Sequence, residues 1–138
     1  MNQLRKDLAV IRRIRAHRSE LKQRALAASI RETQEADKKT ERQQEEKQQL
    51  EQSLIEQEKA SMETLRSGKE VRVEHLENYT TDRLKGIKQL KNADQELEFS
   101  LQELDDLKIK EKAVRKEASL AERKLLKIEV VQEEFKWK

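Results

Sequence analysis

Few side chains in this sequence belong to types that could catalyse a reaction or bind a metal ion. Cysteine is absent, and the two histidines, His17 and His75, lie far apart in the chain. Acidic pairs such as Glu45-Glu46 could supply a general acid and base only in a dry pocket that perturbs their pKa values. A phosphate-binding glycine loop and a serine beside a plausible base are also missing. The sequence therefore predicts a protein that is not an enzyme, with no catalytic residue, metal or cofactor.

The overall composition predicts long helices instead of a compact core. Of the 138 residues, 43% are charged and 3% are aromatic, with two glycines and no proline. The apolar residues are mostly Leu, Ile, Val and Ala, and together with Glu, Lys, Arg and Gln they favour helix. No segment approaches the roughly 18 apolar residues of a membrane span, and residues 1–15 lack the apolar core of a secretory signal. We expect a cytoplasmic protein without a membrane span, which the absence of cysteine fits.

The predicted fold class is all-α, a long antiparallel two-helix coiled-coil hairpin that comprises the whole chain. We predict a first helix over residues 1–66, a turn over 67–70 and a second helix over 71–138. Gly68 can end the first helix in the left-handed conformation, and Ser67 and Glu70 have the spacing of a capping box. One unbroken helix through Gly68 is the alternative, and residues 78–82 offer a second possible break.

The second helix has the clearer heptad pattern, which predicts a seam for a partner helix. One heptad phase contains Leu90, Leu97, Leu104, Ala118 and Leu125, and neighbouring positions hold Ala93, Leu101, Leu107, Val114, Ala121, Ile128 and Phe135. In the first helix we predict a comparable stripe of Leu4, Leu8, Ile11, Ile14, Leu21, Ala25 and Ala28, and another of Leu50, Leu54 and Leu65.

Between these two stripes of the first helix, residues 37–49 contain no apolar side chain. A turn at Gly68 would make residues whose numbers sum to about 137 face each other, so 37–49 would lie opposite 88–100. Leu90, Leu97 and Phe99 would then lack apolar partners. We therefore predict a soft middle in the hairpin, or a second interface for another protein at these three residues.

Charge is distributed unevenly along the chain. Residues 1–31 contain nine Lys/Arg and two Asp/Glu, whereas residues 32–105 have a net charge of −7 and residues 106–138 of +3. A hairpin brings the two basic ends together. The candidate partner-binding residues there are Arg12, Arg13, Arg15, Arg18, Val130, Val131, Phe135 and Trp137. A protein is the favoured partner. A nucleic acid bound by residues 4–31 and a membrane surface bound by residues 4–30 are the alternatives.

The order of segments along the chain has a counterpart in a known family. Residues 8–18 (LAVIRRIRAHR) precede a Glu/Gln-rich middle, a central turn and a second helix with AERK at 121–124 and EEF at 133–135. This layout resembles the ATPase stalk, or central rod, proteins of type III secretion systems, the YscO/FliJ-like family. The resemblance covers the whole chain in length and layout, and it rests on composition and heptad phase.

The resemblance implies a non-enzymatic coupling rod whose joined termini insert into a hexameric secretion ATPase and stimulate it. It also implies contacts with the cytoplasmic domain of the membrane export gate and with secretion chaperones, at the inner-membrane secretion apparatus. Apart from the family, a generic coiled-coil scaffold, tether or homodimer is the competing interpretation, and a basic-helix nucleic-acid binder is a third. Self-association separates the first two, since a hairpin hides its own seam and stays monomeric.

Overall fold

The computed structural model describes residues 2–67 and 72–136, which form two long α-helices. Helix α1 is Asn2–Arg66 and helix α2 is Val73–Lys136. The helices pack against each other as an antiparallel hairpin, which confirms the predicted all-α fold class.

The helix ends nearest the turn are fixed by local hydrogen bonds. At the end of α1, the Ser67 amide donates to the Glu63 carbonyl at 3.0 Å, and the Ser67 hydroxyl donates to the Thr64 carbonyl at 2.8 Å. The carbonyl of Arg72 accepts the first hydrogen bonds of α2, so Arg72 is its N-cap residue. The other two predicted turn residues, Gly68 and Glu70, lie outside the described residues.

The possible break at residues 78–82 is wrong, since α2 is helical throughout this segment. The hydroxyls of Thr80 and Thr81 donate to the carbonyls of Leu76 and Glu77, one turn back, both at 2.9 Å. These bonds keep the hydroxyls satisfied inside the helix, so the threonines do not have to leave it.

Most side chains between the two helices follow one heptad seam on each helix. In α1 the buried and half-buried seam residues are Leu8, Arg15, Ser19, Leu26, Ser29, Thr33, Ala36, Thr40, Gln43, Lys47, Leu50 and Leu54. In α2 they are Gly86, Leu90, Ala93, Leu97, Ser100, Leu104, Leu107, Glu111, Val114, Ala118, Ala121, Leu125, Ile128, Gln132 and Phe135. The seam predicted for α2 is therefore confirmed, except at Leu101, which is exposed.

The stripe predicted for the first part of α1 is wrong. Leu8 is buried, but Leu4, Ile11, Ile14 and Leu21 are exposed. Each exposed residue lies one position before a seam position, which turns it about 100° away from α2. The seam phase of Leu8 continues through Leu26 to Leu50 and Leu54, so one phase accounts for the seam of α1 from Leu8 to Leu54. In the second predicted stripe, Leu65 is also exposed.

The register of the two helices also differs from the prediction. The ion pairs Arg12–Glu129, Lys47–Asp94 and Glu58–Arg83 each join residues whose numbers sum to 141, instead of about 137. The shift is about one helical turn. The start of α2 at Val73, two residues later than predicted, accounts for two of these four residues.

The contacts divide the chain into two units. The terminal unit comprises Met1–Glu35 and Asp105–Lys138, in which Leu8, Ala118 and Ile128 are buried with the polar Ser19 and Ser29. The turn unit is Ala36–Leu104, in which Leu97 and Leu104 are buried with Thr40 and Ser100. By sequence the terminal unit has 19 Lys/Arg and 12 Asp/Glu, a net charge of +7, whereas the turn unit has a net charge of −4.

Gly86 is a point of close approach between the helices of the turn unit. A Cβ atom at this position would overlap Cδ2 of Leu54, and it would lie 3.4 Å from Cγ of the same side chain. The Leu54 side chain therefore fills space that exists because residue 86 has no side chain.

We expect Gly86→Val to lower the free energy of unfolding by about 1–2 kcal/mol, because overpacking outweighs the gain in helix propensity. Denaturant unfolding followed by circular dichroism measures the change. In a Leu54→Ala background the same substitution should cost less, since the overlapping atoms are gone. An equal cost in both backgrounds would mean that Leu54 does not limit the space at residue 86.

Candidate functional site

The arginines of the predicted partner-binding site lie in the first helix of the terminal unit, but they are not equivalent. Arg12 Nη2 lies 3.5 Å from Glu129 Oε1, so it forms an ion pair with α2. The Arg15 guanidinium donates to the carbonyl oxygen of Lys124 at 2.9 Å, which ties the two helices together through a backbone group. Arg12 and Arg15 thus have structural partners within the hairpin.

Arg13 and Arg18 are both exposed. Among the described residues, neither forms an ion pair with the chain itself. Their guanidinium groups are accessible for an external carboxylate or phosphate, which a planar fork of donors can bind in a bidentate way. These two residues are the most available members of the predicted arginine set.

The apolar members of the predicted site have different degrees of exposure. Val130 is 58% exposed, whereas Val131 and Phe135 are half-buried. Phe135 occupies a seam position and lines a groove with Leu8, Arg12 and Glu129, so its ring contributes to packing of the terminal unit. Trp137 lies outside the described residues. Among the described apolar members Val130, Val131 and Phe135, Val130 is thus the most exposed.

A second groove in the terminal unit was not predicted from the sequence. Its walls carry Leu21 and Leu120, which are 49% and 54% exposed, and the cations Arg18, Lys22, Lys124 and Lys127. The signal for it is heptad phase, since Arg18, Leu21, Leu120, Lys124 and Lys127 each precede a seam position by one residue. These residues can be recognised as the lining of one groove only when the seam of α1 is known, because their position is defined by an offset of one residue from it.

The predicted second interface lies in the turn unit and is divided between the seam and the surface. Leu97 is buried, Leu90 is half-buried, and Phe99 is 65% exposed. Residues 37–49 are helical, and the register places Gln43 opposite Leu97. Leu97 is therefore covered although the facing segment is polar, because aliphatic stems of polar side chains can bury apolar surface. Softness of this segment and binding at Phe99 stay predictions.

Lys47 shows how a cation is accommodated in the seam of the turn unit. It is half-buried, and its ammonium group pairs with the Asp94 carboxylate. The hydrogen bond to Asp94, with a smaller attraction from Asp94 and Glu51, raises the pKa of Lys47 above its ordinary value of 10.5. Since folding raises this pKa, the pair stabilises the hairpin below about pH 10.5 and loses its contribution as the pH rises through the folded pKa.

His17 and His75 are exposed and lie in different units. Within residues 2–67 and 72–136, no group of three or more His, Asp or Glu is placed to hold a metal ion. In the same residues, no helix is both long and apolar enough to cross a membrane.

Comparison of the chain with models of protein families, with curated proteins and with solved structures finds no match. The hairpin itself, its charges and its exposed apolar residues are therefore the features that indicate a function.

The different environments of Arg13 and Arg15 predict different effects on stability. Arg15→Ala should lower the free energy of unfolding by about 1 kcal/mol, because the Lys124 carbonyl loses its charged donor. Arg13→Ala is the matched control on the same helix, and it should change stability by less than about 0.5 kcal/mol. Denaturant unfolding of both variants measures the difference. Equal effects would show that the bond from Arg15 to Lys124 does not hold the helices together.

Proposed function

We propose that this chain is the non-enzymatic stalk, or coupling rod, of a bacterial type III secretion apparatus. In this proposal the terminal unit inserts into the hexameric secretion ATPase, and the rest of the hairpin reaches the cytoplasmic domain of the export gate. Secretion chaperones are further candidate partners. The catalysis belongs to the ATPase, and the stalk changes its rate through contact.

The observation that carries the proposal is the terminal unit. It holds the first half of α1 and the last half of α2, has a net charge of +7, and presents Arg13, Arg18 and Val130 to solvent. Exposed arginines and apolar groups on one unit are typical of protein interfaces. The resemblance of the segment order to the stalk family supports the same assignment.

Two contacts favour a protein partner over a nucleic acid. Arg12 and Lys22 are paired with Glu129 and Glu117 of α2, at 3.5 Å and 2.8 Å. A phosphate backbone would have to displace or approach these carboxylates, which weakens the attraction that non-specific nucleic-acid binding requires. A protein surface can instead place its own charges among them.

The pairing of α1 with α2 also favours a stalk over a generic tether, because such a tether would use the seam of α2 to pair with a second chain. The seam of α2 is covered by α1, with buried residues from Leu97 to Ile128. A tether that used this seam would have to open the hairpin first. The exposed stripe of α1 remains available to another protein, and it is considered separately below.

We expect the chain to raise the turnover of the hexameric secretion ATPase, measured as phosphate release. The double substitution Arg13→Glu and Arg18→Glu should return turnover to that of the ATPase alone, since both charges face solvent and are reversed without breaking a contact of the hairpin. Circular dichroism verifies that the variant keeps its helices.

The matched control is the double substitution Lys108→Glu and Lys112→Glu, which reverses two exposed charges of α2 in the same unit. It should keep most of the stimulation. Full stimulation by the arginine variant, or equal loss in both variants, would contradict the placement of Arg13 and Arg18 against the ATPase.

A further inference from the structure

Helix α1 carries an apolar stripe that α2 does not cover. Leu4, Ile11, Ile14 and Leu21 are 42%, 38%, 46% and 49% exposed, and Ala25 and Ala28 continue the stripe with exposed methyl groups. The stripe follows the heptad spacing of a helix-packing surface and extends about 36 Å along the helix at 1.5 Å per residue. Single exposed leucines are ordinary, but a heptad row of them indicates a docking face.

Helix α2 supplies a second wall on the same flank of the terminal unit. Leu120 faces the groove that Leu21 lines, and Lys110 pairs with Glu32 at 3.6 Å farther along this flank. Leu120 and Lys110 both precede a seam position by one residue, as the exposed stripe of α1 does. The shared offset from the seam therefore places both rows on one flank of the terminal unit, where Leu21 and Leu120 line the same groove.

The groove has an excess of positive charge. Lys22 is neutralised by Glu117 at 2.8 Å, and Arg15 is committed to the Lys124 carbonyl. Arg18, Lys124 and Lys127 make no ion pair among the described residues. Three cations that have no ion-pair partner in the described part of the chain thus line the groove beside Leu21 and Leu120.

We propose that this groove binds an acidic amphipathic helix of a partner protein. The apolar side of that helix packs on Leu21, Leu120 and the rest of the α1 stripe, and its flanking Asp and Glu residues pair with Arg18, Lys124 and Lys127. The groove with its bound helix forms a three-helix arrangement. The proposal does not depend on the role as an ATPase stalk.

Charge argues against a second copy of the chain as the occupant of this groove, and shape and composition argue against a membrane. A second copy of the chain that docked through its own groove would bring the same cations to the interface, so like charges would oppose the contact. A membrane surface is flat, whereas Leu21 and Leu120 lie on facing walls, and the α1 stripe has none of the bulky aromatics that favour interfacial insertion.

The test uses the full chain and two synthetic peptides of about three heptads, with leucine at positions a and d. One peptide has glutamate at e and g and the other has lysine, so that each repels itself and stays free to bind. Isothermal titration calorimetry should show binding of the glutamate peptide, with at least about tenfold weaker binding of the lysine peptide.

Leu120 and Leu126, which are 54% and 52% exposed, provide a matched pair of variants. Leu120→Ser removes a groove residue, whereas Leu126→Ser removes a residue that is 52% exposed on the opposite flank, one position after the seam residue Leu125. We expect Leu120→Ser and Leu21→Ser each to weaken binding of the glutamate peptide by about tenfold, and Leu126→Ser to change it less than about twofold.

Several results would overturn the proposal. One is equal affinity for the two peptides or no binding of either, and another is an equal loss in Leu120→Ser and Leu126→Ser. Sedimentation that shows a dimer dissociated by Leu120→Ser would assign the groove to a second copy. Binding to anionic phospholipid vesicles that Leu21→Ser abolishes, without peptide binding, would assign it to a membrane. Failure to stimulate the ATPase, with the glutamate peptide still bound, would contradict the stalk role alone.

Discussion

The hairpin depends on a choice between two heptad stripes of α1 that are offset by one residue. A helix can present only one such stripe to a single partner, because one residue corresponds to about 100° of rotation. The stripe that includes Leu8, Leu26, Leu50 and Leu54 continues through the whole helix, whereas the stripe of Leu4, Ile11, Ile14 and Leu21 ends near Ala28. Pairing along both units requires the longer stripe, which leaves the more apolar short stripe exposed in the terminal unit.

The longer stripe is a modest hydrophobic surface, and this affects the stability of the hairpin. Ser19, Ser29 and Thr40 are buried on it, and the side-chain oxygens of Ser29 and Gln43 have no hydrogen-bond partner among the described residues. Such groups lower stability, since they lose water without full compensation. Small side chains such as Ala118 and Gly86 allow close approach of the helices instead. The seam contains few apolar contacts, so a helix bound on the exposed stripe would add apolar contacts and stabilise the hairpin.

The composition and the α2 heptads, in which Leu90, Leu97 and Leu104 repeat in one phase, predicted an all-α coiled coil. The antiparallel hairpin was predicted from Gly68, with the capping-box spacing of Ser67 and Glu70, because these residues can end one helix and begin the next. The face of α1 could not be predicted from local hydrophobicity, since Ile11 and Ile14 form a better local stripe than Arg15 and Ser19. The choice between these two stripes is made by the pairing of α1 with α2 in both units, which requires the stripe that continues beyond Ala28. For the candidate site, the sequence indicated the basic unit but could not separate Arg13 and Arg18 from Arg12 and Arg15, whose partners Glu129 and the Lys124 carbonyl depend on the register.

Intramolecular pairing of α1 with α2 is the central claim, and a distance between spin labels tests it most directly. The chain has no native cysteine, so Arg31→Cys and Lys108→Cys can be labelled alone, and dilution with unlabelled chain removes intermolecular contributions. The hairpin predicts a short distance, set by a helix separation of about 8–10 Å and the two label arms. Loss of the short distance on dilution would contradict the hairpin, because one continuous helix would separate the labels by about 115 Å.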